Sequence, residues 1–322
     1  MHVTFAGSPD KVEARLVPDA GYELDTFRVE GFSRTPSPAL LRAAVLAAAA
    51  PVACRRILGR RRPDVVFGGG GFVSGPMLAA AAAARIPTAL SEADAHLGLA
   101  NRLAAPLVQR LFLAYPMETR YGAKARVVGR PIPARSRAIA QSEAREIFEL
   151  PDDGPVLTVF GALAGARSLN ELVVEAFGAV GPAVLHVSGE RDYPMLKRRV
   201  ERPDYRLVAE TDRFGAAISA GDLVLARAGG SVWEVAAAGR PAVLVPYPFA
   251  TGDHQAKNAE YFVQAGGAIM VRELDLAEVP ELVRSLLGDP ERLAGMAEAM
   301  LRVARPNAAD EIADELVAMA SG

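Results

Sequence analysis

Two stretches of the sequence repeat the same order of local signals. In each, an apolar strand-like run ends in glycines, a helical run follows, and a proline precedes a second strand-like run. The first copy extends from Asp64 to Leu90 and the second from Asp222 to Val245. A strand without polar alternation is buried on both faces, which is typical of parallel sheets covered by helices. Each copy therefore predicts a βαβ unit.

A third glycine turn follows the apolar run Val156–Phe160 and leads into the helical pattern Arg167–Phe177. Strands alternate with helices in both halves, and 322 residues exceed the usual size of roughly 150 residues for one domain. We therefore expect two Rossmann-like α/β domains with mostly parallel sheets. Two prolines in Gly129–Pro133 divide them, which gives domains of residues 1–133 and 134–322. The last helical run, Ala308–Met319, is a candidate to pack back on the first domain.

Composition excludes several classes of function. The 36 basic and 38 acidic residues leave a net charge of −2, so no basic footprint for nucleic acid is present. A single cysteine and four histidines without paired spacing disfavour disulfides and zinc sites. No apolar run reaches the roughly 18 residues that a membrane span needs. We expect a protein that is soluble or lies on a membrane without crossing it.

Ligands of open α/β sheets bind at the carboxyl ends of the strands, so the glycine turns are the candidate sites. None of the turns matches a dinucleotide or P-loop motif, no nucleophile elbow occurs, and no Asp-x-Asp is present. A phosphate site built from glycine amides and a helix start remains, and we expect neither a metal nor another cofactor. Gly229-Gly230-Ser231 fits it, with Ser231 capping the helix. An ordinary strand-to-helix turn is the alternative.

Polar residues beside this turn suit a nucleotide sugar. Glu234, in the first turn of the following helix, can accept hydrogen bonds from a ribose diol, although favourable helix electrostatics explain it equally. Gln255 and Asn258 are three positions apart on one helical face, and their amides suit sugar hydroxyls. A helix cap by Asp253 is the plainer alternative for this segment, and both roles can hold at once. His186 lies within an apolar strand and is expected to be a core residue.

Several further motifs occur in a fixed order along the chain. They are Gly69–Pro76, Ser91–Asp94, Gly98–Arg102, Val127–Pro131, Gly165–Asn170, His186–Gly189, Arg227–Ser231 with Glu234, and Asp253–Gln255 with Asn258. Together they resemble the MurG glycosyltransferases over essentially the whole chain. The resemblance implies a GT-B fold, in which two Rossmann-like domains face a central cleft.

The resemblance also implies an activity. Such enzymes transfer N-acetylglucosamine from UDP-N-acetylglucosamine to the lipid-linked muramyl-pentapeptide of peptidoglycan synthesis, by inverting displacement without a metal. The expected partners are therefore this donor, this acceptor and an anionic membrane surface, at the cytoplasmic face of the cell membrane. Alternatives are a UDP-sugar epimerase, a transferase for another lipid acceptor, and a UDP-sugar-binding protein without catalysis.

Carried over to this sequence, the resemblance assigns the site residues. Glu234 would bind the ribose, Gly229–Ser231 the diphosphate with a nearby arginine, and Gln255 and Asn258 the sugar. The other expected donor-site residues are Gly165, Asn170, Thr211, Arg227, His254 and Arg130, with Arg135 as the alternative to Arg130. The acceptor would meet Gly69, Gly70, Phe72, Ser74 and Asn101. The general base would be Glu92 or Asp94, for which helix capping is the alternative role.

Two features qualify the resemblance and the membrane assignment. The chain opens on His2–Ala6, which resembles the second strand of the family, so we expect a gene start that was placed too late. The family's glycine-serine turn is Gly161–Gly165 here, and Pro133 replaces an expected arginine. Leu40–Leu58 is apolar and is followed by arginines, a pattern that favours binding to anionic lipid. The alternative is a buried helix with a solvated basic end.

Overall fold

The computed structural model describes residues 2–30, 38–161 and 166–322. The chain divides into two compact units. The first unit comprises Met1–Val128 together with Asp310–Gly322, and the second comprises Gly129–Ala309. Each unit has its own parallel sheet and its own hydrophobic core.

The described residues of the first unit form six parallel strands in two sheets, a pair and a group of four in the order β3-β4-β5-β6. The strands are β1 (Thr4–Gly7), β2 (Glu23–Thr26), β3 (Val66–Gly68), β4 (Thr88–Glu92), β5 (Arg110–Leu113) and β6 (Ala125–Val127). The helices are α1 (Glu13–Asp19), α2 (Pro38–Arg61), α3 (Gly71–Ala83) and α4 (Leu99–Ala104). The pairing of β3 with β4 around α3 confirms the first predicted βαβ unit.

The second unit contains one six-stranded parallel sheet in the order β12-β11-β10-β7-β8-β9. Its strands are β7 (Val156–Phe160), β8 (Ala183–Val187), β9 (Tyr205–Val208), β10 (Leu223–Ala226), β11 (Ala242–Leu244) and β12 (Ala268–Met270). Every residue of β7, β10 and β11 is buried, as the apolar runs predict. The pairing of β10 with β11 confirms the second predicted βαβ unit.

Helices cover this sheet, and their bounds fix the loops that follow each strand. They are α5 (Gln141–Ile147), α6 (Arg167–Phe177), α7 (Tyr193–Leu196), α8 (Phe214–Ala220), α9 (Val232–Ala237), α10 (His254–Gln264), α11 (Val279–Leu287) and α12 (Pro290–Val303). The strand order reverses between β7 and β10, where Phe160 pairs with Ala226. Ligands bind beside the carboxyl ends of the strands at such a switch point. The loops after these two strands are therefore the first place to look for a site.

The last helix, α13 (Ala308–Ser321), contributes its final residues to the first unit. Ile312 is buried with Phe112 and Val128 in one apolar cluster. Glu315 forms ion pairs with Arg110 of β5 and with a second arginine on β6. These contacts fasten the end of the chain to the four-stranded sheet.

Helix α2 was predicted to present arginines to lipid, and two of those arginines are engaged within the protein. Arg60 and Arg61 donate to the buried carboxylate of Asp25 at 2.5 and 2.8 Å. The Arg61 hydrogen bond lowers the pKa of Asp25, against the opposing effect of burial. Cys54 and Ile57 of the same helix are buried in the core. The described part of α2 thus matches the alternative, a buried helix with a basic end.

The side chains of residues 38–45, 47 and 48, which include most of the predicted apolar face of α2, lie outside the described residues. Within the part of the chain that the structure describes, no helix combines the length and apolar character that crossing a bilayer requires.

Candidate functional site

The turn that follows β10 offers backbone N–H groups beside a cationic side chain. The amides of Gly229, Gly230 and Ser231 donate to no residue that the structure describes. A Cβ atom on Gly230 would lie 1.8 Å from Nη1 of Arg130, so a side chain there would have to displace the guanidinium. The guanidinium of Arg130 therefore lies directly over the turn. Three amides and one cation at a sheet switch point are groups suited to an anion.

Arg130 and Glu234 carry the charges of this site. No hydrogen bond or ion pair joins Arg130 to a described residue, and its charge acts on Glu234 through space, so the guanidinium is available to a ligand. Glu234 is half-buried in the first turn of α9, and its Oε2 accepts no hydrogen bond from the described residues. Burial raises the pKa of Glu234, and the charge of Arg130 partly opposes this rise. A hydrogen-bond donor from a ligand would satisfy the free oxygen.

The prediction that Ser231 caps α9 is wrong. Ser231 occupies the position before the helix, but its side chain accepts no capping hydrogen bond. Its torsion angles, φ −63° and ψ −10°, are already helical, whereas a capping residue needs an extended backbone. The first turn of α9 is therefore left without a side-chain cap.

Arg227 was expected in the donor site, and the structure gives its charge a partner within the protein. Its guanidinium is buried and forms an ion pair with Glu273. It also donates to Ser168 Oγ at 3.0 Å and to the carbonyls of Val245 and Pro246. Burial raises the pKa of Glu273, but the hydrogen bonds from Arg227 and Ser168 outweigh this effect and lower it. Arg227 therefore fixes loops around the site, and Arg130 is the cation that remains available.

The loop after β11 joins Arg227 to α10. The Tyr247 ring lies under the Arg227 guanidinium, 5.8 Å from its centroid. The Tyr247 amide donates to Gln255 Oε1 at 2.9 Å, which leaves the Gln255 NH₂ group for other partners. Asn258 is fully buried, and its Nδ2 donates to the carbonyl of Ala228 just before the glycine turn. Gln255 is thus placed at the site and Asn258 supports it.

The alternative role of Asp253, as the cap of α10, is also wrong. Asp253 has a left-handed backbone, with φ 54° and ψ 33°, and its side chain caps no helix amide. Its carboxylate instead forms an ion pair with Arg272 at 3.2 Å. His254 begins α10 directly after it.

Asn170 belongs to a buried polar network at the ends of β7 and β8. Its Nδ2 donates to the Ser188 carbonyl at 2.9 Å and to Asp192 Oδ2 at 3.0 Å, so its Oδ1 faces His186 Nε2 at 3.0 Å. Because Oδ1 can only accept, Nε2 carries the proton and Nδ1 accepts from the Tyr205 hydroxyl at 2.9 Å. Burial lowers the pKa of His186 to about 3. His186 is a hydrogen-bonded core residue, as predicted.

Two further predicted donor residues lie on loops after β7 and β9. Gly165 falls outside the described residues. Thr211 follows β9, and its Oγ1 accepts a hydrogen bond from the amide of Arg213 at 3.0 Å, which shapes a turn. The predicted contact of Thr211 near uracil stays a prediction.

In the first unit, the predicted acceptor residues lie around the turn between β3 and α3. Gly70 has φ +97°, and Ser74 Oγ donates to its carbonyl at 2.8 Å. The amides of Gly69 and Gly70 donate to no described residue. Phe72 packs partly against the core. The turn therefore exposes its backbone, and the Ser74 hydrogen bond fixes the Gly70 carbonyl.

Glu92, one of the two predicted bases, is a buried carboxylate with three hydrogen-bond donors. It accepts from the amides of Asp94 and Gly98, at 3.2 and 3.0 Å, and from Asn101 Nδ2 at 2.8 Å. Gly98 is the residue before α4, so Glu92 fastens the start of that helix. This matches the alternative role of capping. Asp94 lies on the same loop, half-buried.

Sequence reasoning assigned no role to Glu273, Ser168 or Tyr247. Glu273 lies 46 residues from its partner Arg227, in a 3₁₀ segment whose acidic residues look like a solvated surface. Among the described residues, no three His, Cys, Asp or Glu side chains converge as metal ligands would.

Two family descriptions match the chain in succession. Residues 1–113 match the glycosyltransferase family 28 N-terminal domain. Residues 156–313 match the glycosyltransferase family 28 C-terminal domain. The first match lies in the first unit, and the second lies in the second unit except for its last four residues, 310–313.

Curated relatives extend over the whole chain. A protein of Mycobacterium bovis is 39% identical over 100% of this chain and 82% of its own length. A protein of Rubrobacter xylanophilus is 36% identical over 98% of this chain and 95% of its own length. Both are named UDP-N-acetylglucosamine–N-acetylmuramyl-(pentapeptide) pyrophosphoryl-undecaprenol N-acetylglucosamine transferase.

A solved structure shares the fold. The crystal structure of Acinetobacter baumannii MurG superposes with a TM-score of 0.76 and 24% identity, covering 98% of this chain and 90% of that one.

Proposed function

The chain belongs to the MurG family of glycosyltransferases, and we propose that it moves N-acetylglucosamine from its UDP derivative to a lipid-linked muramyl-pentapeptide. Its fold is of the GT-B class, with a Rossmann-like α/β sheet in each unit. One observation supports the donor half of this proposal most directly. The unpaired Arg130 lies over the glycine turn, next to a carboxylate with a free oxygen.

The diphosphate is proposed to bind at Gly229–Ser231. As the bond to the sugar breaks, negative charge grows on the departing UDP, and fixed donors aimed at that charge lower the barrier. The three free amides and the guanidinium of Arg130 are such donors. Arg227 does not add to them, because Glu273 already neutralises it.

The ribose is proposed to donate its hydroxyls to Glu234. The buried Oε2 of this carboxylate accepts no hydrogen bond from the described residues. A buried acceptor without a hydrogen bond is unfavourable. A diol supplies two O–H donors and no charge of its own, so binding would satisfy the oxygen and leave Arg130 for the phosphates. Gln255 is proposed to turn its NH₂ group to the sugar hydroxyls, because its oxygen is already occupied by Tyr247.

The acceptor is proposed to bind the first unit, where its hydroxyl needs a general base. A carboxylate that already accepts three N–H hydrogen bonds is poorly placed to accept a proton from substrate, so Glu92 is not our candidate. Asp94, on the same loop, is the proposed base.

The membrane contact is proposed to involve α4. Leu99, Leu103 and Leu107 recur every four residues and expose 65%, 68% and 46% of their surface, which forms an apolar stripe on one side of this segment. Tyr121 accompanies the stripe, since its hydroxyl donates to a carbonyl of α4, and two cations, Arg120 and Lys124, lie over its ring. Apolar side chains flanked by cations suit an anionic lipid surface.

The donor assignment is tested by measuring UDP affinity. Glu234→Ala should weaken binding by roughly 1.5 to 3 kcal/mol, the value of hydrogen bonds to a charged group. The matched control is Glu260→Ala, an exposed glutamate on α10. Arg130→Gln should weaken binding similarly, whereas Arg135→Gln, at an exposed position nearby, should not. Unchanged affinity in both the Glu234 and Arg130 variants would exclude this site.

The reaction is tested by measuring UDP release from UDP-N-acetylglucosamine with and without the lipid-linked acceptor. Transfer requires the acceptor, whereas an epimerase converts the donor in its absence. The membrane surface is tested by sedimentation with anionic liposomes. Replacing Leu99 and Leu103 with Ser should reduce binding more than replacing Arg60 and Arg61 with Gln, because the arginines already pair with Asp25. If the arginine replacements reduce liposome binding more than the leucine replacements do, the membrane contact lies at α2 instead.

A further inference from the structure

Asn101 has a buried oxygen that no described residue satisfies. The side chain is 4% exposed, and its Oδ1 accepts no hydrogen bond among the described residues. Its Nδ2 donates to Glu92 Oε2 at 2.8 Å and to the Ser91 carbonyl at 3.3 Å. Buried polar atoms of native proteins nearly always have partners, so an exception of this kind marks a place for a ligand or a role in function.

The direction of the Asn101 amide is fixed by its neighbours. The Ser91 carbonyl and an ionised Glu92 carboxylate can only accept, so the NH₂ end of the amide has to face them. Glu92 is itself held by the amides of Asp94 and Gly98. Glu92 is therefore a positioning residue: by accepting from Asn101 Nδ2, it directs Asn101 Oδ1 away from the Glu92 carboxylate.

The amide of Asn101 lies against the glycine turn of the first unit. A Cβ atom on Gly70 would lie 3.2 Å from Nδ2 and 3.7 Å from Oδ1 of Asn101, and 3.0 Å from the Ser91 carbonyl. Gly70 also has φ +97°, which side chains rarely adopt. The amides of Gly69 and Gly70 are free among the described residues. The turn thus presents N–H donors beside a single acceptor oxygen.

We infer that this turn recognises a secondary amide of the acceptor, whose N–H donates to Asn101 Oδ1 and whose carbonyl accepts from Gly69 or Gly70. The inference rests on the proposed function, because the N-acetylmuramyl-pentapeptide in the names of the relatives carries such amides. An anion is a poorer occupant, because the Asn101 oxygen and the adjoining Glu92 carboxylate are both negative. A neutral group that donates and accepts matches both halves of the turn.

The decisive experiment removes one N–H from the ligand and compares two proteins. The probes are soluble lipid-linked muramyl-pentapeptide analogues in which an ester replaces either the 2-acetamido group or the first peptide bond. With the native protein, one of the two esters should raise the acceptor KM about tenfold, the value of one lost hydrogen bond of average strength. With Asn101→Ala, the parent acceptor and that ester should have equal KM values. An equal ester penalty in both proteins, or no penalty in either, overturns the inference.

A second variant separates positioning from catalysis. Glu92→Gln introduces an NH₂ group that can donate to Asn101 Oδ1, so the amide can reverse and offer a donor to the turn. The acceptor KM should then rise while kcat at saturating acceptor and UDP affinity stay unchanged. A fall in kcat together with the loss of the acidic limb of the pH profile would instead make Glu92 the base.

UDP affinity and thermal unfolding of the Asn101 and Glu92 variants report whether the protein is folded. If the native protein releases no UDP with the parent acceptor, the proposed function fails. If it turns over the parent acceptor but the ester penalty is independent of Asn101, only the present inference fails.

Discussion

His186 allows the buried network of the second unit to be tested quantitatively through pH. The ring is fully buried and neutral, because Tyr205 and Asn170 satisfy both of its nitrogens and burial lowers its pKa from 6.5 to about 3. In the unfolded chain the same ring takes up a proton below pH 6.5. The unfolded state thus binds more protons between these pH values, so its stability relative to the native state grows as the pH falls. The contribution of His186 to stability is complete above pH 6.5 and declines below it.

The magnitude follows from the two pKa values. At pH 5 the unfolded ring is protonated and the folded ring is not, so the free energy of unfolding falls by about 1.4 kcal/mol per pH unit below 6.5, or about 2 kcal/mol in total. His186→Gln removes the titrating ring but keeps a polar side chain. The native protein should therefore lose about 2 kcal/mol more than the variant between pH 7.5 and pH 5.

Urea unfolding at the two pH values measures this difference. In an NMR titration of the native protein, the His186 Cε1–H resonance should not move between pH 8 and pH 5. Equal pH dependence for the native protein and the His186 variant, or a resonance that titrates, would refute a neutral, fully satisfied ring.

Three further substitutions test separate contacts. Gly230→Ala should displace Arg130 from the turn and weaken UDP binding by roughly tenfold, as calorimetry would measure, and normal affinity would show that Arg130 is not needed there. Glu273→Gln should leave Arg227 buried without a counter-charge and lower the free energy of unfolding by about 2 to 3 kcal/mol; unchanged urea unfolding would contradict this. Asp25→Asn should destabilise the protein by about 1 kcal/mol at pH 7. Because the pKa of the native carboxyl is lowered, this effect should shrink as the pH falls below the ordinary carboxyl value and through the lowered one, and a pH-independent effect would argue against the ion pairs.

The architecture was the most predictable part of the molecule. Both βαβ units could be derived from the sequence because an apolar strand, a glycine turn and a helix are local patterns, and each pattern is read within about 25 residues. The strand order, which places the turns after β7 and β10 side by side, could not be predicted from local patterns. Strand pairing depends on contacts between segments that are distant in the sequence.

The side-chain partners were predicted less well. Arg227 stands two residues before a phosphate-type glycine turn, so its sequence context suggested a ligand contact. Glu273, which neutralises it, comes from a segment 46 residues later. Ser231 and Asp253 have the residue types of helix caps, but their backbones are helical and left-handed, respectively. Residue type predicts a cap only where the preceding chain enters in an extended conformation.

The C-terminal helix has a consequence for synthesis. Phe112 and Val128 are made early, yet Ile312, which packs with them, lies in the last helix of the chain. The ion-pair partner of Arg110, Glu315, likewise lies more than two hundred residues downstream. The four-stranded sheet of the first unit therefore stays uncovered on this side while the ribosome completes the second unit. Loss of the last dozen residues would therefore destabilise the half of the protein that is translated first.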